Sequence, residues 1–283
     1  MAEGAPDPSV DVLDRWERAA AGWSAHANEI RDFGMPVSAW MIDQLHLQPG
    51  QRVLELAGGP GDTGFMAAEL VSPGGSLLST DAVEPMLEIA RERARSMGIS
   101  NVDFKRIDLQ WIDLETARFD AALCRWGLMF VSDPGGALQE LRRVLRPGGR
   151  VALAVWAEPE RNPWATIPTR ALVELGHVEP PDPGAPGMFV LADAERLRAL
   201  LEHAGFTGVV VERVELSRPD RDVDEYLTGT LDLSQPFAEV RQGLTDEQWA
   251  EVQARVGELV QPFAGEEGTL RFPACSFAVA ADA

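Results

Sequence analysis

The chain has 283 residues, with 45 Asp and Glu against 25 Lys and Arg and a formal charge of -20. Its one lysine, Lys105, and its scattered arginines form no cationic stretch able to displace counterions from phosphates. Nucleic acid is therefore not an expected partner, and neither is an anionic membrane surface. The length suits one large domain, or one domain with a lid.

The opening stretch from Met1 to Asp7 carries neither a basic segment nor an apolar run, so no secretory signal is expected. Residues 11–45 predict helices, with Leu13, Trp16, Ala20 and Trp23 at helical spacing and Met41, Leu45 and Leu47 continuing beyond Pro36. Gln48-Pro49-Gly50 is a turn into a first strand over 53–57. A helix over 65–71, a strand over 77–81 and a helix over 84–95 follow, with Met86, Leu87 and Ala90 facing inward. Strands are then expected over 102–107 and 119–124, a helix over 136–145, the turn Arg146-Pro147-Gly148-Gly149, and a fifth strand over 151–156. A helix over 192–203 and a strand over 209–216 come next. Three polar helices span 222–233, 236–244 and 245–260, and a last strand spans 269–280. The longest apolar run, Val151 to Ala157, is far too short to cross a bilayer. Cys124 and Cys275 fit reduced thiols and a cytoplasmic setting, not a disulfide frame or structural zinc.

The stretch Val53-Leu54-Glu55-Leu56-Ala57-Gly58-Gly59-Pro60-Gly61 carries the most information. An apolar strand runs into a glycine-rich turn, a helix follows, and a second strand ends in Asp81, twenty residues after Gly61. This is the layout of a nucleotide-binding βαβ unit, in which glycines admit the ligand to the backbone and the acid accepts from ribose hydroxyls. Gly59-Pro60-Gly61-Asp62-Thr63-Gly64 also satisfies the G-x-G-x-x-G pattern of dinucleotide enzymes. Two acids oppose that reading. Glu55 interrupts the strand, and Asp62 at the helix start would repel the phosphate that a helix dipole otherwise attracts.

These residues resemble the first motif of the class I S-adenosylmethionine-dependent methyltransferases, acid-x-Gly-x-Gly-x-Gly. Glu55, Gly59 and Gly61 match it, and Ala57 stands where the first glycine would be. The turn 146–149 also resembles that family, especially its small-molecule branch that includes ubiquinone and menaquinone biosynthesis enzymes. The resemblance implies a doubly wound, Rossmann-like α/β sheet of seven strands, parallel but for one antiparallel terminal strand, with a helical lid. It implies S-adenosylmethionine as cofactor, held by Glu55, Ala57, Gly59, Gly61 and Met86, with Asp81 on the ribose hydroxyls and Ala82 beside the adenine. Asp108 would accept from the adenine amino group, Leu109 would cover the ring, and Cys124 would border the methionine end. The single domain is expected to divide into a helical cap (1–48), a cofactor core (49–157), a linker with helix and sixth strand (158–216), a helical insert (217–268) and a terminal strand (269–283).

The expected reaction is metal-independent methyl transfer to oxygen or carbon of a small, largely apolar acceptor. The alternatives are a nicotinamide-dependent oxidoreductase and a non-catalytic S-adenosylmethionine-binding protein. Candidate catalytic residues are His26, on a segment able to overhang the cofactor, and Tyr226, the only tyrosine, as bases, and Arg125 at the end of the fourth strand as a substrate contact. The acceptor pocket is expected between the N-terminal helices and the inserts at 157–191 and 217–268. Aromatic residues such as Trp16, Trp23, Phe33, Trp126, Phe130 and Trp164 are available to line it, although most should be ordinary core. Asn162-Pro163-Trp164 looks like the box of amino-methylating nucleic-acid enzymes but follows the wrong strand. No metal is expected.

Overall fold

The computed structural model describes residues 8–182 and 185–283, with side chains from Val12 onward. Residues 1–7, on which the expectation about a secretory signal rests, lie outside the described residues. The chain runs α1 (Pro8–Ala25), α2 (Ala27–Leu45), β1 (Arg52–Glu55), α3 (Asp62–Leu70), β2 (Ser76–Asp81), α4 (Glu84–Met97), β3 (Val102–Arg106) and β4 (Phe119–Arg125). It continues through α5 (Pro134–Val144), β5 (Leu145–Trp156), α6 (Pro163–Glu174), α7 (Ala194–His203), β6 (Thr207–Asp220), α8 (Val223–Leu233), α9 (Gln235–Gly243), α10 (Asp246–Leu259) and β7 (Leu270–Asp282).

One seven-stranded sheet has the order β3-β2-β1-β4-β5-β7-β6. Strands β1 to β5 are mutually parallel, and β7 inserts antiparallel between β5 and β6. The central β4 is buried at all but its last residue, as a strand covered by helices on both faces must be. The order reverses at β1 and β4. A doubly wound sheet opens a crevice beyond the carboxyl ends of its strands at such a switch point.

The terminal antiparallel strand expected from the sequence is present, and it extends to Asp282. The turn 146–149 is absorbed into β5 as an irregularity. Leu145 pairs with Phe119, pairing resumes at Arg150 with Ala121, and Gly148 takes a positive φ of 77°. The N-terminal helices break at His26, not at Pro36, which sits inside α2. Proline removes one N–H to the carbonyl four residues back, here that of Asp32; both residues are exposed, so water can serve the carbonyl. Helix α6 was not expected.

The main hydrophobic core fills both sides of the sheet. A second core lies among α6, α8, α9, α10 and the far ends of β6 and β7, around Tyr226, Phe237, Val252 and Phe272. A third, small cluster packs Leu13, Trp16 and Trp23 of α1 against Val83 and Met86 at the start of α4. It lays α1 across the crevice.

Candidate active site

At the switch point lies a cavity of about 300 Å³, bounded by the turn after β1, the ends of β2 and β4, residues 107–110, Phe130 to Ser132, Pro186 and α1. A cavity of this size is at the lower end of those that hold small molecules and cofactors. Of the sequence-expected cofactor residues, Glu55, Ala57, Gly59, Asp81, Ala82, Met86, Asp108 and Leu109 border it. Gly61 and Cys124 do not.

Gly61 is conformational. It has a φ of 92°, and a Cβ there would collide with the Phe65 ring. Cys124 is fully buried just beneath the cavity, its Sγ close to Gly127, and burial pushes its thiol up to about 12. Ala57, which replaces the family's first glycine, takes a φ of 49°, the left-handed conformation that glycine favours.

Glu55 borders the cavity but is almost fully buried, and its carboxylate faces the start of α3. It accepts from the Gly64 N–H at 2.7 Å and from the Ser79 hydroxyl at 2.6 Å. Burial raises its pKa to about 7, against the lowering effect of those two bonds and of Arg125. Gly58 and Gly64 have a reason the sequence did not disclose. A Cβ at 58 would lie 2.7 Å from a Glu55 carboxylate oxygen, and one at 64 would overlap the same group.

A helix start of this kind attracts phosphate because its first N–H groups lack partners. Here a side chain from β1 takes one of them. Asp62, in the first turn of the same helix, is nearly buried and adds negative charge at a place where a diphosphate needs positive.

Asp62 is held by Arg93 at 2.7 Å and Arg125 at 3.2 Å. Arg125 also donates to the Ser38 hydroxyl on α2 at 3.1 Å, and its guanidinium carbon lies 4.8 Å from the Trp126 ring centre. Burial pulls its pKa down, opposed by Asp62 and Glu55. Arg125 therefore borders the cavity with its guanidinium committed to protein partners. Asp81 accepts from the Gly59 N–H at 2.9 Å and from the Val83 N–H at 3.1 Å, and burial raises its pKa. Asp108 caps the following turn, accepting from Gln110 N–H at 2.8 Å.

Two of the three catalytic candidates, His26 and Tyr226, lie away from the cavity. His26 pairs with Asp232 of α8 at 2.8 Å. Tyr226 is fully buried in the second core, where it donates to the Trp164 carbonyl at 2.6 Å and burial raises its pKa. Helices α8 to α10 contribute no lining residue, so the expected pocket wall from 217–268 is not formed. Phe33 and Trp164 are also absent from the lining. They pack with Trp156 in an aromatic cluster behind the site. Asn162 is a structural bridge, bonded to the Cys275 backbone through both ends of its amide. The cavity's aromatic surface comes from Trp16, Trp23, Trp126 and Phe130. Among the described residues, no three His, Cys, Asp or Glu side chains converge as a metal-ligand set.

A family model described as a methyltransferase domain matches residues 47–168, the segment that builds the turn, Asp81, Asp108 and β4. The ubiquinone/menaquinone biosynthesis C-methyltransferase UbiE of Cronobacter sakazakii is 30% identical over 217 residues, covering 72% of this chain and 86% of that protein. The chain belongs to the class I S-adenosylmethionine-dependent methyltransferases, as a UbiE-like member.

This methyltransferase is also 29% identical to UbiE of Serratia proteamaculans over 210 residues, 70% of this chain and 83% of that one. Solved structures share its fold at low identity. YcgJ of Bacillus subtilis has a TM-score of 0.59 at 18% identity, over 87% of this chain and 97% of that one. Phosphoethanolamine N-methyltransferase 2 of Haemonchus contortus, solved with S-adenosyl-L-methionine, has a TM-score of 0.60 at 15% identity, over 99% and 61%. The methyltransferase uses S-adenosylmethionine to methylate a small molecule. The comparisons support this reading and give no support to a nicotinamide-dependent oxidoreductase or a non-catalytic binder. No described helix is long and apolar enough to cross a membrane.

Proposed function

We propose that the enzyme transfers a methyl group to carbon, or to oxygen, of a small electron-rich aromatic acceptor, without a metal, in the cavity between the glycine turn and α1. The observation that carries the proposal is the composition of that cavity. One end has the acids Asp81 and Asp108, and the same space is walled by Trp16, Trp23, Trp126 and Phe130. Flat aromatic walls favour a flat, apolar guest. The names of the UbiE relatives favour carbon as the acceptor atom and a quinol-like ring as the acceptor.

The residues present fit S-adenosylmethionine better than a dinucleotide. Glu55 occupies one of the first N–H groups of α3 and Asp62 engages Arg93 and Arg125, which leaves fewer donors and less free cationic charge for a diphosphate. A sulfonium cofactor has no diphosphate to place there. Asp81 would hold the ribose hydroxyls with the lone pairs left over from Gly59 and Val83. Ala82 and Met86 would flank the adenine, Leu109 would cover it, and Asp108 would accept from its amino group. Glu55 and Gly59 would bound the methionine side, with Glu55 acting through the turn it holds. When bound, the cofactor supplies a methyl group activated by the adjacent sulfonium charge.

The chain's own work is to align acceptor and methyl and to keep water out. Trp16 and Trp23 on α1 close the outer side, and Trp126, fixed by its bond to Ser276 at 2.8 Å, closes the inner side. Two buried, unpaired cysteines support a reducing, cytoplasmic setting.

Calorimetric titration with S-adenosylhomocysteine tests the cofactor assignment. Wild-type protein is expected to bind, and Asp81→Ala to weaken binding at least ten-fold, as loss of a charged hydrogen-bonding partner worth about 1.5–3 kcal/mol implies. Undiminished binding by Asp81→Ala would refute it. Incubation with labelled S-adenosylmethionine and a panel of hydroquinones and phenols then tests the acceptor, with label expected on a ring carbon.

A further inference from the structure

The wall that α1 gives the cavity is held from outside the cofactor domain. One side of α1 packs Leu13, Trp16 and Trp23 on the start of α4 and faces the cavity. The other side lies on α8 and α9. His26, at the end of α1, bonds Asp232 of α8 at 2.8 Å, and Arg18 and Arg15 reach Glu239 of α9 at 2.6 and 3.9 Å. Between these pairs the helices meet so closely that a Cβ at Gly22 would overlap the backbone carbonyl of Asp232. Helices α8 and α9 are themselves anchored in the second core, around Tyr226, Leu227 and Phe237, and not in the core under the cofactor turn.

A lid that must leave for cofactor exchange is held in place by whatever it closes against. We infer that Asp232 and Glu239 are positioning residues for the cofactor. Neither borders the cavity, yet both hold α1 over it, so the helical insert sets how long the spent cofactor stays bound. The inference rests on the cofactor reading of the cavity. It gives the insert, which lines none of the cavity, a part in the reaction cycle. Contacts of exposed ion pairs are individually weak. The close seat of Gly22 on α8 is backbone against backbone and has no slack.

The test uses the full-length protein and follows dissociation of S-adenosylhomocysteine by stopped-flow, with excess S-adenosylmethionine as chase. Arg18→Glu and Glu239→Arg should each speed dissociation about two- to five-fold, the range expected for an exposed pair. The double exchange Arg18→Glu/Glu239→Arg should restore part of the wild-type rate, since it remakes the 18–239 pair but not the contact of Arg15 with Glu239. Gly22→Ala should speed it about ten-fold or more, while Asp232→Asn, which keeps an acceptor for His26, should stay near wild type. Urea midpoints of the unliganded variants report stability separately. Wild-type dissociation rates in the charge-reversal and Gly22→Ala proteins would overturn the inference while leaving the cofactor reading intact, as would rates that follow the urea midpoints without rescue in the double exchange. Failure of the wild type to bind S-adenosylhomocysteine would overturn both.

Discussion

The Tyr226 hydroxyl donates to the carbonyl of Trp164 at 2.6 Å, and this is the carbonyl that Pro168 leaves without its helical partner. In α6 the acceptor four residues before Pro168 is Trp164, and proline has no N–H to give it. A tyrosine from α8, 62 positions away, supplies the missing donor inside the second core. Tyr226 is thereby occupied as a structural donor. Tyr226→Phe is expected to cost about 1–3 kcal/mol in urea unfolding, the cost of an unsatisfied buried acceptor. Its methyl-transfer rate at saturating substrates should stay within about two-fold of wild type, since the residue does not reach the cavity. A drop of a hundred-fold with unchanged stability would restore Tyr226 to the chemistry.

Glu55 gives the chain a pH dependence whose sign follows from burial. Its pKa rises from 4.5 to about 7 on folding, so between these values the folded protein holds a proton that the unfolded chain has lost. This contribution to stability is fully present below pH 4.5 and is lost as pH rises through about 7. The slope is negative across that window and integrates to roughly 3 kcal/mol. Glutamine at position 55 can accept from Gly64 N–H and donate to Ser79 without titrating. The difference in unfolding free energy between wild type and Glu55→Gln, measured from pH 4.5 to 7.5, should therefore move steadily in favour of the variant. A flat difference would mean that Glu55 titrates normally.

Gly64 and Glu55 compete for one volume. A methyl group at position 64 would overlap the Glu55 carboxylate, and the flanking residues Asp62, Thr63 and Phe65 are buried. Overpacking of this kind costs about 1–3 kcal/mol. Gly64→Ala should destabilise by that amount and weaken S-adenosylhomocysteine binding by displacing the turn. The double variant Gly64→Ala/Glu55→Ala should lose less than the two singles together, because the second change makes the room that the first needs. Simple additivity would show that the two groups do not share the space.

What was legible in the sequence was local. Glu55, the glycine turn and Asp81 lie on one βαβ unit, and their spacing is enough to place an acid at the mouth of a crevice. The closing antiparallel strand was legible for the same reason, since a strand pattern survives without knowledge of its partners. The partners themselves were not. His26 and Tyr226 attract notice as titratable side chains, but Asp232 and the Trp164 carbonyl, which occupy them, are 206 and 62 residues distant. Gly64 could be read as a third motif glycine, yet its reason is a carboxylate from the preceding strand. Helix α6 was hidden by Pro168, which argues against a helix unless a remote donor serves the carbonyl it strands.

Trp126 shows how the inner wall of the cavity is fixed, and its geometry yields the last prediction. The residue follows β4 with a φ of 60°, uncommon for a bulky side chain, while its N–H still donates to the Ala154 carbonyl at 2.8 Å. The indole stacks on Trp156 with centroids 4.2 Å apart, and its N–H donates to the fully buried Ser276 hydroxyl at 2.8 Å. Trp126→Phe keeps much of the stacking but leaves Ser276 without that donor, at a cost of about 1–3 kcal/mol. Ser276→Ala should cost a similar amount, because it leaves the indole N–H without its acceptor. Once the hydroxyl is gone the phenylalanine leaves nothing unsatisfied, so the double variant should be more stable than the sum of the singles predicts. The coupling should be about 1 kcal/mol, read from urea unfolding of the four proteins. Coupling indistinguishable from zero would mean that the indole is held by stacking alone.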